Sequence, residues 1–292
     1  MIGRWLVRIL EANEGWAKPL GDFVQKLLAA ILRPLWPIKD LLNGKWLGHS
    51  LHAALTDAPI GLLLAGLVFD FLDMRAAADI AIGLGLVSML VAAFAGLADY
   101  TDTDDRARWV ATVHATLMSF AIVVLLVSVV MRLGAPTGDR SIAIALAVIG
   151  FAIVSAGAWV GGEVVYALGN MVNRHAWRFG TSARWTKLDV EEIPEGTPTK
   201  AKAGPQTLVL VRRGETIHAL HDQCAHAGGP LSAGTIVDDC IECPWHFSRY
   251  ELSTGRRKRG PTTFDQPAYE VRAADGGGWE VRRIGSGTGQ NR

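Results

Sequence analysis

The sequence predicts a multi-domain protein: an N-terminal all-α bundle of four transmembrane helices, followed by a C-terminal all-β domain. Three observations predict it. Half of the 292 residues are hydrophobic and only 20% are charged, and the apolar excess falls between residues 50 and 166, in runs near the ~20 residues a helix needs to cross a bilayer. Beyond about residue 184 the pattern changes to short β-rich runs between Gly and Pro turns. Set into those runs are a Cys-x-His (Cys224, His226) and, after sixteen residues, a Cys-x-x-His (Cys243, His246).

Composition bounds the function. A net charge of +1, with no basic stripe, argues against nucleic acid as the partner, because phosphate binding needs clustered Lys and Arg. Of the three cysteines, two belong to the motif and Cys240 has no partner left. No disulfide framework is then available within one chain, which fits a reducing compartment.

Residues 1–48 form an amphipathic N-terminal segment. Arg4 and Arg8 interrupt its first apolar run, no small-residue cleavage site follows, and there is no twin-arginine pair, so an export signal is not expected. From Leu20 to Arg33, Leu20, Phe23, Val24, Leu27, Leu28 and Ile31 recur at helical spacing, with Asp22, Gln25 and Lys26 on the other side. Pro34 and Pro37 stop this helix. Two placements are open for it, along the membrane surface or against the bundle.

The transmembrane domain is expected over 49–166, with spans at about 51–72, 79–98, 109–131 and 142–165. Thr56, Asp57 and Pro59 interrupt the first. Short connectors at Asp73 to Ala78 and Arg132 to Ser141 leave an up-down antiparallel bundle, and glycines such as Gly66, Gly85, Gly150 and Gly157 permit close helix approach. With four spans, both termini lie on one side. His49, His52, the Asp99 to Asp105 stretch, His114 and Glu163 fall at that same end. Ionisable residues at membrane depth are functional candidates; the bland reading is that His49 and His52 are interfacial and Asp99 to Asp105 is a solvated loop. His114, set within a long apolar helix, suits haem ligation with a first-span histidine, a hydrogen bond across the bundle, or quinone chemistry. Flanking Lys and Arg residues favour a cytoplasmic side for both termini.

A polar linker over 167–183 places Arg174, His175 and Arg178 beside Trp177 at headgroup level. The β domain spans 184–284. Thr207 to Arg212 and Thr216 to Leu220 read as a hairpin, with further strands at about 235–242, 248–252, 268–273 and 278–283. Cys240 reads as a core residue. Arg256, Arg257, Lys258 and Arg259 form either a solvated turn or a docking site for an acidic redox partner. The Gly/Ser/Thr-rich tail, 285–292, is expected to be disordered.

The motif itself suits two loops holding a 2Fe-2S cluster, with two thiolates on one iron and two imidazoles on the other. Gly228-Gly229-Pro230-Leu231, Cys243-Pro244-Trp245-His246 and Gly260-Pro261 supply the loop residues. The same four donors also serve Cys2His2 zinc sites, but zinc fingers set a helix between the pairs where this region reads as strands.

On these residues the C-terminal third resembles Rieske ferredoxins, and the Cys-Pro-Trp-His form is similar to the ferredoxin components of aromatic-ring dioxygenases. The resemblance implies that Cys224, His226, Cys243 and His246 are the cluster ligands. Rieske subunits of cytochrome bc complexes carry a disulfide between two further loop cysteines; those positions here are Gly229 and Trp245. Ser248 and Tyr250 match the serine and tyrosine that in bc-type proteins bond cluster and ligand sulfurs and raise the potential, whereas Phe247 departs from the glycine usual after the second His. A potential above that of ordinary dioxygenase ferredoxins is expected, within about −150 to +300 mV. Residues 46–52 (Trp-Leu-Gly-His-Ser-Leu-His), Asp57-Ala58-Pro59-Ile60-Gly61, Gly96-Leu97-Ala98-Asp99-Tyr100, Val113-His114-Ala115 and Gly161-Gly162-Glu163 resemble a bacterial family of uncharacterised four-helix membrane domains, in which a histidine commonly stands where this chain has Glu163.

Three functions follow in order. The first is a membrane-anchored electron-transfer protein between a redox donor and acceptor protein. The second is a small membrane oxidoreductase binding haem b or quinone through His49, His52 and His114, and the third a redox sensor or assembly protein. A terminal Rieske oxygenase is not expected, because no domain is large enough for its two-histidine, one-carboxylate iron site.

Overall fold

A computed structural model describes residues 2–134, 136–176 and 184–284. Trp177, Arg178 and the rest of 177–183, together with the tail from Gly285, lie outside the described residues. The chain divides into two units, Met1–Ile38 with Ser50–Asn170, and Lys39–His49 with Met171–Arg292.

The helices in chain order are α1 (Ile2–Glu11), α2 (Glu14–Leu32), α3 (Trp36–Leu42), α4 (Leu51–Leu55), α5 (Asp57–Phe71), α6 (Arg75–Tyr100), α7 (Asp105–Gly134) and α8 (Ser141–Gly162), the last running into a π-helical turn, Glu163–Ala167. Among the described residues four stretches are long and apolar enough to cross a membrane: Leu51–Phe71, Arg75–Tyr100, Asp105–Gly134 and Ser141–Ala167. The first is two helices, because the chain restarts at Thr56, whose hydroxyl caps back onto Ala53 O at 2.8 Å. Ser50 caps α4 by accepting from Ala53 N and donates to Asp99 Oδ2 at 2.6 Å.

Helices α5 and α6 approach through reciprocal glycine contacts. A Cβ at Gly66 would stand 2.6 Å from Ile82, and one at Gly85 would stand 2.8 Å from Leu63; only glycine lets both knobs seat. The bundle core runs through Leu63, Leu67, Ile82, Leu86, Met89, Ala121, Leu125, Ala147 and Val154. At the far end an ion network replaces apolar packing. Arg132 forks onto both oxygens of Asp70 at 2.6 and 2.8 Å and reaches Asp79 at 3.2 Å, while Arg140 forks onto Asp79 at 2.8 and 2.9 Å. Arg132 and Asp70 are 1% and 2% exposed. Arg132 and Arg140, in or beside the short connector between the third and fourth spans, are buried partners of aspartates that lie in or beside the neighbouring spans.

Helix α2 begins six residues before the expected start at Leu20, passing through Pro19, and its orientation inverts the usual rule. Its small and polar residues face inward: Gly21 lies where a Cβ would strike Thr112 at 2.4 Å, Gln25 donates to Thr101 O at 3.0 Å and Asp22 pairs with Arg108 at 2.7 Å. The expected apolar face, with Leu20, Phe23, Leu27 and Ile31, is exposed. Of the two open placements, packing on the bundle is observed, with the greasy side out.

The second unit is antiparallel β. One sheet has the order β1-β10-β9-β4-β3-β2, from β1 (Thr186–Lys187), β2 (Thr199–Ala203), β3 (Gln206–Arg213), β4 (Thr216–His221), β9 (Ala268–Ala273) and β10 (Trp279–Arg283). The other has the order β5-β6-β7-β8, from β5 (Thr235–Val237), β6 (Cys240–Glu242), β7 (Arg249–Glu251) and β8 (Arg257–Arg259). Strand β3 is buried on both faces, sending Val209 and Val211 to one core and Leu208 and Leu210 to the other. Two expectations change here. The single strand over 235–242 is a hairpin that turns at Asp238 in the left-handed region (φ 54°), a conformation Asp tolerates better than most. Cys240 is half-buried, because Ile241 takes the inward position of the pleat.

Candidate metal centre

Two loops, one between β4 and β5 and the other between β6 and β7, are built alike. In each, a cysteine N–H donates to the carbonyl five residues on, and its own carbonyl accepts from the N–H four residues on: Cys224 with Gly229 (2.9 Å) and Gly228 (3.0 Å), Cys243 with Ser248 (2.8 Å) and Phe247 (3.1 Å). The fourth residue past each cysteine is left-handed, Gly228 at φ 87° and Phe247 at φ 64°. The departure from glycine at Phe247 therefore leaves the loop conformation in place and loads it with about 1–2 kcal/mol of backbone strain.

These loops bring four side chains together as two like pairs. The Cys224 and Cys243 thiols are buried and hydrogen-bond each other; the His226 and His246 rings meet edge-on with centroids 4.9 Å apart. Burial pushes the Cys224 thiol up, but bonds from Cys243 and Tyr250 outweigh it and bring it down to about 7. Cys243 is pushed up by that same bond and by burial. Burial holds His226 well below the usual imidazole range, with the charges of His246, Lys39 and Arg174 acting the same way. Both ring nitrogens of His226 are buried and lack a hydrogen-bond partner, which costs about 1–3 kcal/mol per orphaned group unless something else binds there.

Supporting residues complete the site. Tyr250 is fully buried, with its hydroxyl 3.1 Å from Cys224 Sγ. Burial and the nearby Cys224 charge drive its pKa well up, so the phenol keeps its proton and is the donor. Ser248 Oγ accepts from Thr262 N at 3.2 Å, tying a third loop, which carries Gly260 and Pro261, to the second. Gly229 lies under Trp245: a Cβ there would stand 2.9 Å from the indole and 3.0 Å from Cys243 Sγ. Trp245 itself is half exposed, beside a half-buried His246.

Two positioning residues carry no local signal in the sequence. Gln266 accepts from Ala225 N at 3.0 Å and donates to His221 O and Gln223 O at 2.6 and 2.7 Å, pinning the first loop. Asp40 accepts from Gly260 N at 2.9 Å, and Lys45 joins Asp40 to Lys258 O, so the Lys39–His49 segment braces the third loop. The basic run is largely spoken for within the domain. Arg257 pairs with Asp265, Lys258 with Glu251 and Arg259 with Glu242, while Arg256 is exposed.

Elsewhere, His52 and His114 come together with ring centroids 6.1 Å apart. His49 belongs to the segment that groups with the β unit. Glu163 opens the π-helical turn, and the His114 ring lies against Gly161 near the end of α8. His175, expected at headgroup level, is buried, its ring 4.8 Å from that of His221.

A small antiparallel domain presenting two thiols and two imidazoles as like pairs defines an iron–sulfur protein of the mixed-ligand class. The pairing of like donors suits two metal atoms, one held by thiolates and the other by imidazoles. Residues 184–270 match the family model described as Rieske [2Fe-2S] domain, and residues 48–174 match that described as Predicted membrane protein (DUF2231). The anthranilate 1,2-dioxygenase ferredoxin subunit of Burkholderia cepacia is 35% identical over 97 residues, covering 33% of this chain and 90% of that protein. Ferredoxin CarAc of Metapseudomonas resinovorans is 33% identical over 94 residues, covering 32% and 88%. The solved ferredoxin of carbazole 1,9a-dioxygenase from Nocardioides aromaticivorans IC177 aligns over 34% of this chain and 98% of that one, at 24% identity and a TM-score of 0.30. The chain belongs to the Rieske [2Fe-2S] family, its ferredoxin-like domain joined to an N-terminal predicted membrane domain, and a 2Fe-2S cluster is the cofactor this family implies.

Proposed function

We propose that this protein is a membrane-anchored carrier of single electrons between a donor and an acceptor protein, with Cys224, Cys243, His226 and His246 holding the cluster. The observation that carries the reading is the His226 ring, buried, neutral at physiological pH by its environment, and with both nitrogens unsatisfied beside a second imidazole and two buried thiols. When bound, the cluster supplies reversible one-electron storage, at a potential that imidazole ligation raises. The protein's part is to hold the donors and shield the sulfur side. The Cys224 environment lowers its thiol pKa to about 7, Tyr250 stands at hydrogen-bonding distance from its sulfur, and Gln266 fixes the backbone of the first loop. Pro244, Trp245 and His246 leave an exposed edge at which a partner protein docks. Arg256, the exposed arginine at the start of the basic run, gives that partner a reason to be acidic.

Membrane anchorage rests on the four apolar spans and on what they leave uncovered. Phe71, Leu84, Phe94, Phe120 and Leu133 are among the large side chains more than half exposed, a surface suited to lipid and unsuited to water. The proposal puts the cluster domain on the cytoplasmic side, supported by the Lys and Arg residues that flank that end of the spans.

The test is iron, sulfide and zinc analysis of the full chain purified in detergent, followed by a potentiometric titration monitored by EPR. Two irons and two sulfides per chain, with a single one-electron wave within about −150 to +300 mV, are expected; zinc without iron would refute the ligand assignment. A reporter fused at the C-terminus that is active only outside the cytoplasm would reverse the sidedness.

A further inference from the structure

The bundle contains a second built arrangement, independent of the cluster. His52, on α4, approaches Ala92 O on α6 with its Nδ1 at 2.8 Å. Its ring lies against Gly96, one turn further along α6, where a Cβ would come within 2.9 Å of Nδ1. His114, on α7, approaches Gly157 O on α8 with its Nδ1 at 2.8 Å. Its ring lies against Gly161, again one turn further, where a Cβ would come within 3.1 Å. The same device thus occurs twice: a histidine from the first helical stretch of a hairpin, and a carbonyl and a glycine four residues apart on the second. The two copies face each other, with ring centroids 6.1 Å apart and ring planes at 80°.

The hydrogen bonds fix the chemistry. A carbonyl can only accept, so both Nδ1 atoms carry the proton, and in the neutral ring each Nε2 keeps a lone pair. A ring held by Nδ1–H to a backbone carbonyl, with Nε2 bare, is the arrangement that orients a metal-ligating histidine. Two imidazoles bonding one metal from opposite sides have centroids roughly 6 Å apart, given metal–nitrogen bonds of about 2 Å and the reach from nitrogen to ring centre. The observed separation matches.

The number of donors selects the metal. Among the described residues no third His, Cys, Asp or Glu joins these two to form an ion site, whereas a bare zinc ion takes four protein ligands or three with water. Iron that arrives with four in-plane nitrogens of its own needs only axial ligands from the protein. A histidine within a lipid-facing bundle also calls for a functional reason. We propose that His52 and His114 are the two axial ligands of a haem bound in the four-helix domain.

The full chain, produced in cells supplied with iron and haem precursor, is purified and its haem quantified, and haem-free protein is titrated with hemin. One haem per chain and a sharp reduced-minus-oxidised spectrum are expected. His52→Ala and His114→Ala should each weaken hemin binding at least tenfold while the cluster EPR signal stays intact. His114→Met should retain haem and change its spectrum and potential, as a purely structural histidine would not. Cluster-loaded wild-type protein that neither carries haem nor binds hemin overturns the proposal. So does hemin binding that both alanine variants leave unchanged, or stoichiometric copper at the pair in place of haem.

Discussion

Tyr250→Phe removes one hydroxyl and leaves the ring in place. That hydroxyl lies 3.1 Å from Cys224 Sγ, and burial together with the Cys224 charge keeps it protonated, so the bond runs from phenol to sulfur. A hydrogen bond to a charged group contributes about 1.5–3 kcal/mol. Electron uptake makes the ligand sulfur more negative and strengthens the bond in the reduced state. If one-third to one-half of the bond is differential, about 1 kcal/mol favours reduction. With a tenfold ratio equal to about 59 mV for one electron, the midpoint should fall by about 40 mV. The assay is a potentiometric titration of wild type and variant at one pH, with iron content as the control for cluster occupancy. An unchanged or raised midpoint at full occupancy would refute the reasoning.

Further outcomes follow from the same contacts. Asp70→Asn breaks the Arg132 fork, where both partners are nearly fully buried, and should destabilise the bundle by about 3–5 kcal/mol; thermal unfolding in detergent measures this, and an unshifted transition contradicts it. Asp40→Ala leaves the buried Gly260 N–H without its acceptor, at about 1–3 kcal/mol, and should raise hydrogen exchange selectively around Gly260, with unchanged protection as the contrary result. Phe247→Val puts a β-branched residue at φ 64° and should lower stability, whereas Phe247→Gly should keep both the cluster and the fold, since the left-handed region is open to glycine. Comparison of the two by chemical denaturation distinguishes loop strain from loss of the phenyl ring.

Much of the fold class was legible because it rests on local signals. The apolar runs through Phe94 or Leu125 need no tertiary information to read as spans, and the β3–β4 hairpin announces itself at Gly214. The four side chains that converge at the candidate centre were visible because thiols and imidazoles at such spacing have few uses. What escaped the sequence depends on distant partners. Gln266 lies 41 residues beyond the Ala225 N–H it satisfies, and Asp40 lies 220 residues before Gly260. The Arg257–Arg259 stretch looked like a turn because charge masks its β pairing with β7, and the charges that pair with Arg132 are separated from it by more than 50 residues. The orientation of α2 was unreadable for a different reason: helical periodicity identifies an apolar stripe, but the solvent decides whether that stripe faces in or out.

That orientation makes α2 part of the solvent environment of its neighbours. The Tyr100 hydroxyl lies within hydrogen-bonding reach of Gly21 O and Thr112 Oγ1, and the Arg108 guanidinium meets Asp22. Without the helix, Tyr100 would lose Gly21 O and Arg108 would lose Asp22, leaving Thr112 and Thr103 O as the partners that remain beside acyl chains or headgroups. The N-terminal segment is therefore a polar lining with a lipid-coloured exterior, and trimming the chain back to its first span would expose the wrong chemistry to the bilayer while appearing, by hydropathy alone, to remove nothing of consequence.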